Sequence, residues 1–117
     1  MEPVQSIKTC LNKYADFDGR ASRSEFWWFY LFTLVIQFFI YVLAGVMSPI
    51  IGVIGLVVAV GLFVPTIAVG CRRLHDRNMS GWLQLISIIP LLIFVLWVLW
   101  ALAGTEGDNK YGEQPFD

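Results

Sequence analysis

Residues 26–71 read FWWFYLFTLVIQFFIYVLAGVMSPIIGVIGLVVAVGLFVPTIAVGC, 46 positions between Glu25 and Arg72 without one Asp, Glu, Lys or Arg. A helix needs about 20 mainly apolar residues to cross about 30 Å of hydrocarbon at 1.5 Å per residue. The stretch is therefore long enough for two crossings. Ser48-Pro49 falls at its middle, where proline's missing N–H and its bias on the preceding residue place a turn. Residues 50–71 hold thirteen Ile, Leu, Val and Phe. These favour insertion by roughly −4 to −8 kcal/mol, despite the glycines.

Working outward, a further 28 residues between Arg77 and Glu106 are free of charge. The expected fold is an all-α integral membrane protein with three transmembrane helices, at about 26–47, 50–71 and 82–103. The whole chain reads as one membrane domain: a tail over 1–25, a membrane region over 26–103 and an acidic tail over 104–117. The composition agrees, since 57% of the 117 residues are hydrophobic and 15% charged, with mean hydropathy +0.67. A soluble domain carries about a quarter charged residues. The composition excludes a disordered chain and a nucleic-acid-binding module. A soluble helical hairpin fails too, because too few residues remain to cover helices that are apolar all round.

Seven basic residues lie in the N-terminal tail and the second loop: Lys8, Lys13, Arg20, Arg23, Arg72, Arg73 and Arg77. The C-terminal tail holds one, Lys110, among Glu106, Asp108, Glu113 and Asp117. With three spans, the positive-inside rule puts the N-terminus in the cytoplasm and the C-terminus on the outer side of the membrane. Trp27, Trp28, Tyr30 and Trp82 fit one headgroup level, and Trp97 and Trp100 the other. Cys10 and Cys71 fall on the cytoplasmic side, where disulfides are rare.

Val4, Ile7, Leu11 and Tyr14 share one side of a short amphipathic N-terminal helix, with Ser6, Thr9 and Lys13 opposite. Asp18-Gly19 marks a turn, and Ser22 with Glu25 three residues on fits a capping box. The densest polar cluster is Arg72-Arg73-Leu74-His75-Asp76-Arg77. With Arg20 and Arg23 it forms an arginine-rich cytoplasmic rim, whose expected partners are anionic lipid headgroups or a protein partner. Cys71 and His75 become i, i+4 neighbours if the second helix continues through this cluster. A nucleophile pair there needs an orienting group that the sequence does not identify.

Inside the spans Gln37 and Thr33 are the polar residues on one face, suited to bonding a neighbouring helix or lining a path. Gly52, Gly55 and Ala59 make a small-residue face for close helix approach or homo-oligomer packing. Pro65 and Pro90 are expected to kink the second and third helices. One histidine and two distant cysteines make no metal cluster, and no glycine-rich phosphate loop is present, so no cofactor or catalytic residue is expected.

Three motifs in order are distinctive. They are Phe17-Asp18-Gly19-Arg20-Ala21-Ser22-Arg23-Ser24-Glu25-Phe26-Trp27, then Pro65 before Arg72-Arg73-Leu74-His75-Asp76, then Ser80-Gly81-Trp82 with Pro90. The tail adds Gly107-Asp108-Asn109-Lys110-Tyr111-Gly112-Glu113-Gln114-Pro115. This pattern resembles the small bacterial inner-membrane proteins grouped as domain of unknown function 805. The resemblance implies a bacterial inner-membrane location and a compact helical fold, and it carries no established activity. From the residues, the expected function is association with helices, a partner or lipid; the other reading is an oligomeric small-solute transporter or channel component.

Overall fold

The computed structural model describes residues 2–115, so the expectation for Asp117 lies outside the described residues. Four α-helices and one 3-10 helix make up the described chain: α1 Pro3–Asn12, α2 Arg23–Val46, α3 Ile51–Asp76, a 3-10 arm Gly81–Ile88, and α4 Ile93–Ala101. Two of them, α2 and α3, are long and apolar enough to cross a membrane. Their outer faces leave large apolar side chains open, such as Phe38 (69% exposed) and Val57 (66% exposed). Water would not tolerate so much contiguous apolar surface, whereas lipid tails solvate it.

Both long helices begin and end where the chemistry says they should. Ser22 Oγ accepts the Glu25 N–H at 3.2 Å and caps α2. The turn at Ser48-Pro49 separates α2 from α3, as expected. However, α3 does not stop at Cys71; it runs through Arg72–Asp76. What stops it is Asn78, held at φ 61°. The Asn78 N–H bonds His75 O and the Met79 N–H bonds Leu74 O, both at 2.9 Å, which satisfies the last carbonyls.

Pro65 sits inside α3 without ending it. Proline has no N–H to give the carbonyl four residues back, here Gly61. The Tyr14 hydroxyl donates to that Gly61 carbonyl instead, so a side chain from the N-terminal segment repairs the gap. Where α2 crosses α3, a Cβ on Gly55 would sit 2.9 Å from Ile40 Cγ2, and one on Gly52 would lie 3.9 Å from the Ala44 methyl. Glycine at position 55 is required for this approach. Ala59, expected on the same face, is exposed and takes no part in it.

The third apolar stretch does not form one spanning helix. The 3-10 arm ends at Ile88, Ile89 is extended, Pro90 follows, and Leu91 takes φ 75° before α4 begins. Proline here breaks the helix rather than kinking it, because Leu91 in the left-handed region reverses the chain. The arms have eight and nine residues. They rise about 16 Å and about 14 Å respectively, roughly half of a bilayer core. The turn keeps its own backbone bonds, with Leu92 N–H to Ile89 O and Val95 N–H to Leu92 O, as burial in an apolar medium demands.

This hairpin docks on the upper halves of α2 and α3. Gln84 Nε2 donates to Ile67 O at 3.1 Å, Trp97 Nε1 to Tyr30 Oη at 3.2 Å and Trp100 Nε1 to Gly70 O at 3.2 Å. Trp100 is buried against Phe26, ring centroids 4.6 Å apart. Trp97 and Trp100 therefore return to the end where the hairpin began, not to an opposite headgroup layer. The C-terminal segment follows them. Thr105 N–H bonds Asp76 O at 2.6 Å and Asn109 Nδ2 bonds His75 O at 3.0 Å. The C-terminal segment therefore packs against the end of α3 that carries Arg72–Asp76.

The amphipathic helix α1 exists, but its buried face differs from the expected one. Ser6 and Cys10 are fully buried, while Val4 and Leu11 are exposed. Small side chains let α1 approach α2 closely, and the larger apolar ones are left for the membrane interface.

Candidate functional site

The charged end of the molecule is built inside out. Arg72 and Arg73 are fully buried, and Arg20, Glu25, His75 and Asp76 are nearly so. Arg72 Nη1 pairs with Glu25 Oε2, and its Nε donates to Asp16 O at 3.1 Å. Arg73 Nη1 pairs with Asp76 Oδ2, Nε donates to Trp100 O at 2.9 Å, and Nη2 donates to Leu102 O. Arg20 reaches the other oxygen of Asp76, Nη2 to Oδ1 at 2.7 Å. Its remaining donors go to Thr105 O at 2.5 Å and Gly107 O at 2.6 Å. Ala21 N–H bonds Arg72 O at 3.0 Å, which fastens the segment before α2 to α3.

These contacts assign a task to each arginine. Arg72 joins the N-terminal segment and α2 to α3, and Arg73 joins the hairpin's exit to α3. Arg20 binds the C-terminal tail. The guanidinium fork suits this, since Arg20 and Arg73 each serve several carbonyls while sharing the Asp76 carboxylate, and Arg72 pairs with Glu25 and bonds the Asp16 carbonyl. Of the expected rim, Arg23 is exposed and Arg77 half-buried, with Arg77 Nη1 donating to Ala103 O at 2.5 Å. Arg20, Arg72, Arg73, His75 and Asp76 are buried, with His75 bordering one cavity and Arg73 and Asp76 another.

Three glycines explain how the hairpin and tail reach α3; Gly81 stands in the Ser80-Gly81-Trp82 motif, while Gly70 and Gly104 were not singled out from the sequence. A Cβ on Gly70 would overlap Gln84 Oε1, one on Gly81 the Cys71 Sγ, and one on Gly104 the Asp76 carboxylate. Gln84 and Gly104 are thus parts of the site. Their signal was available in outline, as small residues flanking a charged cluster.

Gln37 and Thr33 occupy less eventful positions. Thr33 Oγ1 donates to Tyr30 O in its own helix at 2.7 Å. The Gln37 amide faces α3 beside Gly55, and its Nε2 is buried with no partner among the described residues. Burying an amide without a hydrogen bond costs about 1–3 kcal/mol. Gln37→Leu is therefore expected to raise the unfolding temperature in detergent; a fall would show that the amide has a partner in the assembled protein.

The two cysteines differ. Cys10 is sealed between α1 and α2, its Sγ 3.8 Å from Glu25 Oε2. Burial, and after it the Glu25 carboxylate, pushes the Cys10 thiol up to about 12. Cys71 borders a cavity of about 540 Å3 between α3 and the 3-10 arm. Its Sγ lies 3.5 Å from His75 Nε2. Among the described residues no group of three His, Cys, Asp or Glu side chains is placed to hold a metal ion.

Known proteins share this layout of sequence. The chain is 33% identical over 118 residues to the inner membrane protein YhaI of Escherichia coli K12, covering 96% of each chain. It is 32% identical over 117 residues to the inner membrane protein YhaH of the same strain, covering 90% of this chain and 91% of that one. No solved structure matches it. The family model described as protein of unknown function DUF805 matches residues 14–113, a span that begins at the tyrosine serving α3 and runs through the tail that Arg20 holds. By that match and those relatives, the chain is a helical inner-membrane protein of the DUF805 family.

Proposed function

We propose that the protein crosses the inner membrane twice, through α2 and α3, keeps both chain ends in the cytoplasm, and acts by association with lipid and with other membrane helices rather than by catalysis. All eight Lys and Arg lie outside the 46-residue stretch that forms most of α2 and α3. The segments that carry them converge on one end, which the positive-inside rule assigns to the cytoplasm. The hairpin then dips into the bilayer from the cytoplasmic face and returns. Irregular backbone at that depth is tolerated where protein contacts or its own hydrogen bonds satisfy it.

The observation that carries the functional reading is the inward turn of the charged cluster. Three arginines and two carboxylates are consumed in holding α2, α3, the hairpin and the tail together. What remains outside is apolar helix surface together with the exposed Lys8, Lys13, Arg23 and Lys110 and the half-buried Arg77, and of these Arg23 and Arg77 flank the cluster and are offered to anionic headgroups. Of the two residues on which transport would rest, Thr33 bonds a carbonyl of its own helix and Gln37 lies at the α2–α3 crossing beside Gly55.

The test is lipid retention. Replacing Arg23 and Arg77 together by Gln is expected to reduce co-purified anionic phospholipid in native mass spectrometry while leaving the unfolding temperature within a few degrees. Each such contact is worth about 1 kcal/mol near an anionic surface. Undiminished retention contradicts this part of the proposal. In liposomes the wild-type protein is expected to pass no ions or small solutes, and flux that Gln37→Leu abolishes would favour transport instead.

A further inference from the structure

The cavity of about 540 Å3 is bordered by the Cys71 thiol, which has an imidazole beside it. Phe17, Ile67 and Trp82 give it apolar walls, and Asp18, Ser80 and Gln84 also line it. Cys71 Sγ and His75 Nε2 are 3.5 Å apart, one helical turn along α3. The other ring nitrogen, Nδ1, lies 2.9 Å from Gly19 O. A carbonyl only accepts, so Nδ1 carries the proton and Nε2 turns its lone pair toward the thiol. Gly19 presents that carbonyl from a turn at φ +86°, a conformation glycine adopts without strain. The Tyr111 ring lies parallel to the imidazole, 3.9 Å between centroids, and fixes its plane. Nucleophile, base and orienter are thus present, the orienter being backbone rather than an Asn or Asp side chain. Gly81 leaves the space that Sγ occupies.

We propose that Cys71 is an S-acylation site that takes an apolar acyl group from an acyl thioester, with His75 as the base. Ile67 lies one turn from Cys71 toward the middle of α3, so the apolar wall leads from the thiol toward the membrane interior. Apolar walls and the Asp18 carboxylate favour an uncharged acyl group over an anionic electrophile. In the step, Nε2 takes the thiol proton as Sγ attacks the thioester carbonyl. The new Sγ–C bond forms, the donor's C–S bond breaks, and the donor departs as a free thiol carrying the proton that His75 returns. No electrons are exchanged with a third molecule.

The full chain, purified in detergent, is incubated with the octanoyl thioester of N-acetylcysteamine and followed by intact mass. Wild type and Cys10→Ser are expected to gain one octanoyl group that hydroxylamine removes, and Cys71→Ser none. His75→Gln is expected to slow the gain roughly 100-fold, the size of a positioned general base. Ile67→Trp, which fills the cavity, is expected to slow octanoyl transfer while Cys71 still reacts with the smaller iodoacetamide; this comparison carries the test if His75→Gln does not fold. Absence of acylation in wild type, acylation on Cys10, or equal rates for wild type and both variants overturns the proposal.

Discussion

Asp76→Ala is expected to remove about 3–5 kcal/mol of folding stability, the largest single loss in the molecule. The Asp76 carboxylate pairs with Arg20 through one oxygen and with Arg73 through the other, one negative charge shared by two cations. Both guanidinium groups are buried, so deleting the carboxylate leaves two cations with only carbonyl dipoles to face. An uncompensated buried charge costs more than the pair contributed when intact. Thermal or SDS unfolding in detergent measures the loss, and limited proteolysis should show the tail beyond Ala101 becoming accessible first. Asp76→Asn keeps the shape without the charge and is expected to lose nearly as much. A loss below about 1 kcal/mol, the range of an exposed ion pair, contradicts the buried placement.

Glu25→Gln is expected to cost a similar amount by stranding Arg72. Arg72 is fully buried, and its Nη2 has no partner among the described residues even when Glu25 is present. The second substitution makes the prediction specific. In a Glu25→Gln, Arg72→Met protein no charge remains to be stranded, and an apolar side chain of similar length fills the space. The double variant is therefore expected to recover most of the stability that Glu25→Gln loses, measured in the same detergent. A double variant no more stable than Glu25→Gln alone would show that Arg72 acts through its carbonyl contact with Asp16 rather than through charge.

The two long helices were legible because length and absence of charge decide them. The Ser22–Glu25 cap and the Ser48-Pro49 turn set their limits within a few residues. Residues 82–103 have the same apolar composition, and composition does not distinguish one span from two half-depth arms. The difference lies in the left-handed Leu91 after Pro90 and in docking on Gly70 and Gly81, both tertiary facts. The packing of the tail on the end of α3, through Thr105 to Asp76 and Asn109 to His75, is likewise a long-range fact that the sequence does not display. The arginines were read as a surface rim because one sequence does not say which way a charged side chain turns. Their partners are 47 and 56 residues distant in the chain for the Arg72–Glu25 and Arg20–Asp76 pairs. The end of α3 differs from the expectation for a local reason: Asn78 supplies the stop, seven residues beyond the end of the apolar run at Cys71.

In the proposed two-span topology, one ion-paired cluster gathers the N-terminal segment, the end of α3 and the C-terminal tail at the same membrane face. The most direct measurement of that topology uses paired reporters in bacterial cells, green fluorescent protein and alkaline phosphatase, fused in turn to the N-terminus, at Ser48 and after Pro115. Fluorescent green protein with silent phosphatase is predicted at both termini, and active phosphatase at Ser48. Active phosphatase after Pro115, with a fluorescent N-terminal fusion, would mean three crossings and would contradict the account.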